Sequence, residues 1–247
     1  MINVLFILAV LPTIILGTFI YKNDKLEKEP TSLLASLLVA GVGSAFLTLT
    51  LSTILVKLIP FFGSEYYTSF DPMSLALYVF VGIALIEEFS KWVFIYSIAW
   101  KNKEFNHVYD AIVYCVFVSL GFATFENLLY VFSSESIASA FSVAFGRMIF
   151  SVPGHACFAI IMGYFLSKAK VNNINGSKDL EKKNLLLSVL IPSLAHTAFD
   201  AILFYLAGRI VGSFLVLFFV FYGFLIGICF GIVGKISKLQ QIKYLIY

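Results

Sequence analysis

Residues 73–99 read MSLALYVFVGIALIEEFSKWVFIYSIA. From Met73 to Ile86 the stretch is uncharged; Glu87, Glu88 and Lys91 then interrupt it, and the run from Trp92 to Ala99 is apolar again. As a helix rising ~1.5 Å per residue it spans roughly 40 Å, enough to cross the ~30 Å hydrocarbon core of a bilayer. A helix apolar on every face cannot sit on the surface of a water-soluble domain. The stretch therefore reads as a transmembrane helix with three charged side chains inside it.

Six more charge-poor runs surround it, at about 2–21, 32–59, 108–132, 137–167, 184–207 and 212–234. The whole chain has 247 residues, is 60% hydrophobic and 13% charged, and has a mean hydropathy of +0.96. Soluble domains carry roughly a quarter charged residues. This composition excludes a cytosolic enzyme, a nucleic-acid binder and a disordered chain. The expected fold is all-α: a polytopic helix bundle in the cell membrane with about seven transmembrane helices, one domain over residues 1–247, and a motif-bearing core at about 73–207. The run from Val4 to Ile20 has no basic segment before it and no clear cleavage site, so it reads as a retained span. In the fifth run, Pro153-Gly154 should kink or break the helix.

Loop charges set the expected orientation. Lys22, Lys25, Lys28, Lys101, Lys103, Lys168, Lys170, Lys178, Lys182, Lys183, Lys235, Lys238 and Lys243 fall in alternate loops and the tail, and the remaining loops hold only Arg209. By the positive-inside rule the N-terminus lies outside and the C-terminus in the cytoplasm. The three cysteines, Cys115, Cys157 and Cys229, all lie in apolar runs and read as small core residues. Cys157, two positions from His155, would point away from any site that His155 faces.

A charge at the bilayer centre costs at least ~2.5 kcal/mol, so ionisable residues inside spans point to function. The third run holds Glu87, Glu88 and Lys91, and the fourth Glu126 with Asn127. The fifth holds Arg147 and His155, and the sixth His196 and Asp200. Helical spacing puts Lys91 about 40° from Glu87 and about 60° from Glu88, between the two carboxylates. Asp200, one turn after His196, addresses the same point. Glu126 and Asn127 are about 100° apart, so only one of them faces it. Glu126 lies near the outer end of its run, which opens the site toward the outer half of the bilayer. Histidine nitrogens with carboxylate oxygens form an open site for a first-row metal, commonly Zn²⁺. A metal-bound water can act as a nucleophile near neutral pH, and an unligated carboxylate can serve as its base. Glu87 and Glu88 fit the base; Glu126, His155, His196 and Asp200 fit the ligand or polarising role.

These motifs resemble the PrsW family of intramembrane proteases, which belongs to a larger group with the CAAX prenyl proteases and bacteriocin-processing enzymes. The resemblance rests on Glu87-Glu88-x-x-Lys91, Phe122-x-x-x-Glu126-Asn127, His155, His196, and the loop YKNDKLEKEP from Tyr21 to Pro30. It covers about residues 10–205. It implies an intramembrane endopeptidase acting on a membrane-anchored protein, in the best-known branch an anti-sigma factor cut on its extracytoplasmic side. Carried over, Glu87 or Glu88 activates water with Lys91 and Asn127 in the catalytic group. Glu126, His155 and His196, with Asp200, hold Zn²⁺ or stabilise the oxyanion, and a metal-free glutamate mechanism stays open. Two other classes use similar residues: a proton- or ion-coupled transporter, and a non-catalytic receptor or immunity protein.

Overall fold

The computed structural model describes residues 2–207 and 212–239. Arg209 and Lys243, counted among the loop charges, lie outside the described residues. Seven helices are long and apolar enough to cross a membrane, and no strand occurs among the described residues. They are α1 (Ile2–Asn23), α2 (Thr31–Leu58), α3 (Pro72–Ala99), α4 (Asp110–Phe132), α5 (Ile137–Ile174), α6 (Lys178–Ala207) and α7 (Gly212–Leu239). Every run read from the sequence matches one of them, and the chain is a multi-pass integral membrane protein.

Local chemistry explains the helix starts and one irregularity. Asp71 caps α3 by accepting the N–H groups of Met73 (3.0 Å) and Ser74 (3.2 Å), with Pro72 in the first turn. Ser136 caps α5 by accepting the Ser139 N–H at 3.1 Å. Of the kink or break expected at Pro153-Gly154, the break does not occur: α5 runs continuously from Ile137 to Ile174. A proline has no N–H to donate and crowds the preceding turn, and the wider π turn at Arg147–Ser151, just before Pro153, makes room for it. A second π turn, at Phe80–Ala84, precedes Glu87 in α3.

α4 is the centre of the bundle, buried continuously from Asp110 to Ala123. Between membrane helices the hydrophobic effect offers little, so close packing and hydrogen bonds hold them. Glycines permit the closest approaches. A Cβ on Gly41 of α2 would land on the Val118 carbonyl of α4, and one on Gly121 of α4 on the Leu38 carbonyl of α2. A Cβ on Gly163 of α5 would come within 2.7 Å of the Ile112 Cα. Hydrogen bonds add registration: Asn127 Nδ2 donates to the Ala9 carbonyl of α1 at 3.0 Å, and Trp92 Nε1 of α3 to Ser188 Oγ of α6 at 2.9 Å. Ile7, Ile14 and Ile15 of α1 and Val216, Val220 and Phe224 of α7 are exposed, as lipid-facing residues are. Cys157 turns to Cys229 of α7, whose thiol lies 3.6 Å from its carbonyl, and all three cysteines are buried and unpaired.

At the end of the bundle that carries residues 24–30, three carboxylates, Asp24, Glu29 and Asp110, are buried together. Tyr114 donates its hydroxyl to Glu29 (2.9 Å), and the backbone N–H groups of Asn106 and His107 donate to Asp110 (2.9 and 2.6 Å). Burial raises the Glu29 carboxyl to about 7. This group fastens the first loop to the start of α4.

Candidate active site

The intramembrane charges of four helices converge. Lys91 Nζ lies 2.7 Å from Glu88 Oε1 and 3.5 Å from Glu87 Oε2, as the spacing on α3 requires. The ammonium also lies 3.1 Å from His155 Nδ1 of α5 and 4.2 Å from the Phe122 ring of α4. An ammonium can only donate, so His155 Nδ1 accepts. The His155 proton is then on Nε2, which donates to Glu126 Oε2 of α4 at 3.1 Å. His196 of α6 is oriented the same way but with the opposite polarity at Nδ1, which donates to Glu88 Oε1 at 3.1 Å, while its Nε2 lies 3.2 Å from Asp200 Oδ2, one turn further along α6. Each imidazole therefore turns Nδ1 toward Glu87, Glu88 and Lys91, and presents Nε2 to a carboxylate on the far side.

Donor atoms of Glu87, Glu88, His155 and His196 all lie within 4.8 Å of one another, and the four residues are buried. Glu87 Oε2 and Glu88 Oε2 accept no hydrogen bond from the described residues. Two nitrogens and two carboxylates are a donor set that first-row metals take. Charge points the same way. With both imidazoles neutral, as metal ligands are, the carboxylates of Glu87, Glu88, Glu126 and Asp200 face two cations, Lys91 and Arg147, an imbalance that a divalent cation would remove. The residues present fit a metal.

Glu126, Asp200 and Arg147 are less enclosed, keeping 19%, 17% and 17% of their side-chain surface exposed. They line a cavity of about 360 Å³ that reaches Glu87, His155 and His196 at its floor. Tyr130 of α4 and Phe204 of α6, near the ends of their helices, also line it. Both π turns contribute to its wall, through Ile83 on one side and Arg147, Phe150 and Ser151 on the other.

Helical spacing relates residues within one helix and does not pair them across helices, and Asn127, expected in the catalytic group, is the one that leaves the cluster. Asn127 turns away from the cluster, donating to Ala9 O and accepting from Arg147 Nε at 2.6 Å. Arg147 donates Nη2 to Glu126 at 2.6 Å and stacks 4.3 Å over Tyr130. Two aromatic supports were not singled out. Phe158 stacks on His196 with ring centroids 4.6 Å apart, and Tyr130 carries Arg147. Each lies three or four residues beyond a site residue on its own helix, His155 or Glu126, the spacing that could have found them.

The family profile described as PrsW family intramembrane metalloprotease matches residues 29–228. Among curated proteins, the chain is 36% identical over 200 residues to Protease PrsW of Clostridioides difficile strain 630, covering 81% of this chain and 79% of that one. It is 36% identical over 195 residues to Protease PrsW of Oceanobacillus iheyensis (79% and 80% covered). Against Protease PrsW of Bacillus subtilis strain 168 the identity is 31% over 195 residues (79% and 80%). No solved structure gives a significant match.

Proposed function

This chain belongs to the PrsW family of intramembrane metalloproteases, and we propose that it hydrolyses a peptide bond of a membrane-anchored protein at the cluster of Glu87, Glu88, His155 and His196. One observation carries the assignment of roles. Two histidines from different helices turn the same ring nitrogen, Nδ1, inward, and each has a carboxylate 3.1 or 3.2 Å behind its Nε2. Metal-binding histidines commonly donate their second ring N–H to a carboxylate, which fixes the tautomer and the ring angle.

His155 Nδ1, His196 Nδ1 and the fully enclosed Glu88 would hold the metal, with Zn²⁺ the ion that this donor set suits. When bound, such an ion lowers the pKa of a coordinated water and polarises the scissile carbonyl. Glu87 lines the cavity, so it is the carboxylate placed to take the water's proton and return it to the leaving amine. Glu126 and Asp200, expected in a ligand or polarising role, act as the carboxylates that orient His155 and His196. Asn127 and Arg147 hold Glu126 in place: Arg147 bonds both side chains, and Asn127 ties α4 to α1. Lys91 balances the two glutamates of its own helix.

The substrate class we propose is a single-span anti-sigma factor, cut outside the cytoplasm. The support is the family resemblance together with the cavity, which extends toward the end of the bundle that loop charge assigns to the outside. The test measures zinc in detergent-purified wild type beside His155→Ala/His196→Ala, and cleavage of a co-expressed single-span reporter by both. Near-stoichiometric zinc and cleavage in the wild type alone are expected. Zinc-free protein that still cleaves would overturn the metal assignment; cleavage by a Glu87→Gln/Glu88→Gln double variant would overturn the site.

A further inference from the structure

We propose that the Lys91 ammonium is a built-in competitor for the metal position, so that a divalent ion binds only by pushing this side chain aside. The inference rests on the metal-dependent reading above and goes beyond it, because it concerns what governs occupancy. Lys91 Nζ contacts three of the four clustered donor residues: Glu88 Oε1 at 2.7 Å, His155 Nδ1 at 3.1 Å and Glu87 Oε2 at 3.5 Å. The fourth, His196 Nδ1, meets the same Glu88 oxygen at 3.1 Å. The ammonium thus sits against donor atoms of the residues that would hold an ion.

Two features say that this is a seat rather than a passing contact. The side chain is 1% exposed, and the Phe122 ring lies beneath the ammonium at 4.2 Å. A cation and a divalent ion cannot share His155 Nδ1, whose one lone pair serves a single partner, and the two charges repel across a few ångströms of low-dielectric interior. Displacement has a destination. Glu87, which lines the cavity, lies 3.5 Å from the ammonium, so Lys91 can keep one carboxylate partner while it gives up His155 and Glu88. Lys91 would then lower metal affinity and in return hold the cluster assembled before metal arrives. This predicts a bundle whose helices α3, α5 and α6 are already docked without zinc.

The experiment is a competitive Zn²⁺ titration of full-length protein in detergent, with wild type, Lys91→Met, Lys91→Gln and Lys91→Arg measured in parallel and folding checked by thermal melting. Removing the charge in Lys91→Met and Lys91→Gln is expected to tighten zinc binding at least tenfold. Lys91→Arg, which keeps the charge on a bulkier group, is expected to bind no tighter than wild type. Folded Met or Gln variants with unchanged or weaker affinity would overturn the proposal, as would tighter binding by Lys91→Arg if the uncharged variants fail to fold. Those failures are distinct from failure of the metal reading, which a folded wild type that binds no zinc would show.

Discussion

His155 and His196 each have one ring nitrogen facing the donor cluster and one facing a carboxylate, and the difference between those two neighbours is measurable. Removing a ligand should abolish zinc binding, whereas removing an orienting carboxylate typically costs 10–100-fold in affinity or activity. Glu126→Gln and Asp200→Asn are therefore expected to retain zinc with affinity weaker by about 10–100-fold, and Glu88→Gln to lose it. Zinc titration of the three variants checks this, and complete loss in Glu126→Gln would return that residue to the ligand set. A second residue-scale prediction concerns Glu29, far from the cavity. Its carboxyl is raised by burial from 4.5 to about 7 in the fold, beside Asp24, Asp110, Glu104 and Tyr114. The folded state thus holds a proton that the unfolded chain releases at lower pH. The stabilisation is present below about 4.5 and is lost as pH rises to about 7. Glu29→Gln should flatten that slope and leave the protein more stable than wild type at pH 8; melting temperatures of both proteins from pH 5 to pH 8 are the measurement.

Helices here meet where side chains are smallest, so the contact between α2 and α4 should be intolerant of added volume. Gly121→Val places a branched side chain on the Leu38 carbonyl, and overpacking of this kind costs typically 1–3 kcal/mol, more where backbone is struck. Loss of folded protein in detergent, or a strongly lowered melting temperature, is expected; Gly146→Ala, which meets nothing within 4 Å, is the matched control. How much of this was legible beforehand follows from what periodicity encodes. Run lengths located all seven helices, and the 3.6-residue repeat correctly paired Glu87 and Glu88 with Lys91, His196 with Asp200, and turned Cys157 from His155. Each of these is a relation within one helix. The contacts His155–Glu126, His196–Glu88 and Arg147–Glu126 join different helices, and a wheel gives the face of a helix but not the neighbour it meets. The π turns were hidden for a related reason: Pro153 signalled a disturbance, but whether a turn breaks or widens depends on the packing around it.

For the whole molecule, the alternation of loop charge makes a topological prediction that the buried cysteines make easy to test. Single cysteines introduced at Ser134 and at Asn175 stand out against a background of three enclosed thiols. Ser134→Cys should react with a membrane-impermeant maleimide on intact cells, and Asn175→Cys only after the cells are opened. The reverse pattern would invert the bundle and place the cavity mouth in the cytoplasm. The cluster at the bottom of that cavity also bears on how the chain is made. Its members do not leave the ribosome together. Glu126 is followed by Arg147 and His155 after 21 and 29 residues, but Glu88 precedes His196 by 108. At roughly 5–20 residues per second, α3 waits on the order of ten seconds for the helix that completes its site. During that interval Lys91 is the partner that Glu87 and Glu88 bring with them, on the same turn, so a span with two buried glutamates can enter the lipid carrying a counter-charge of its own. The last-made of the four helices then closes the site, and an unfinished chain would carry no assembled hydrolytic centre into the membrane.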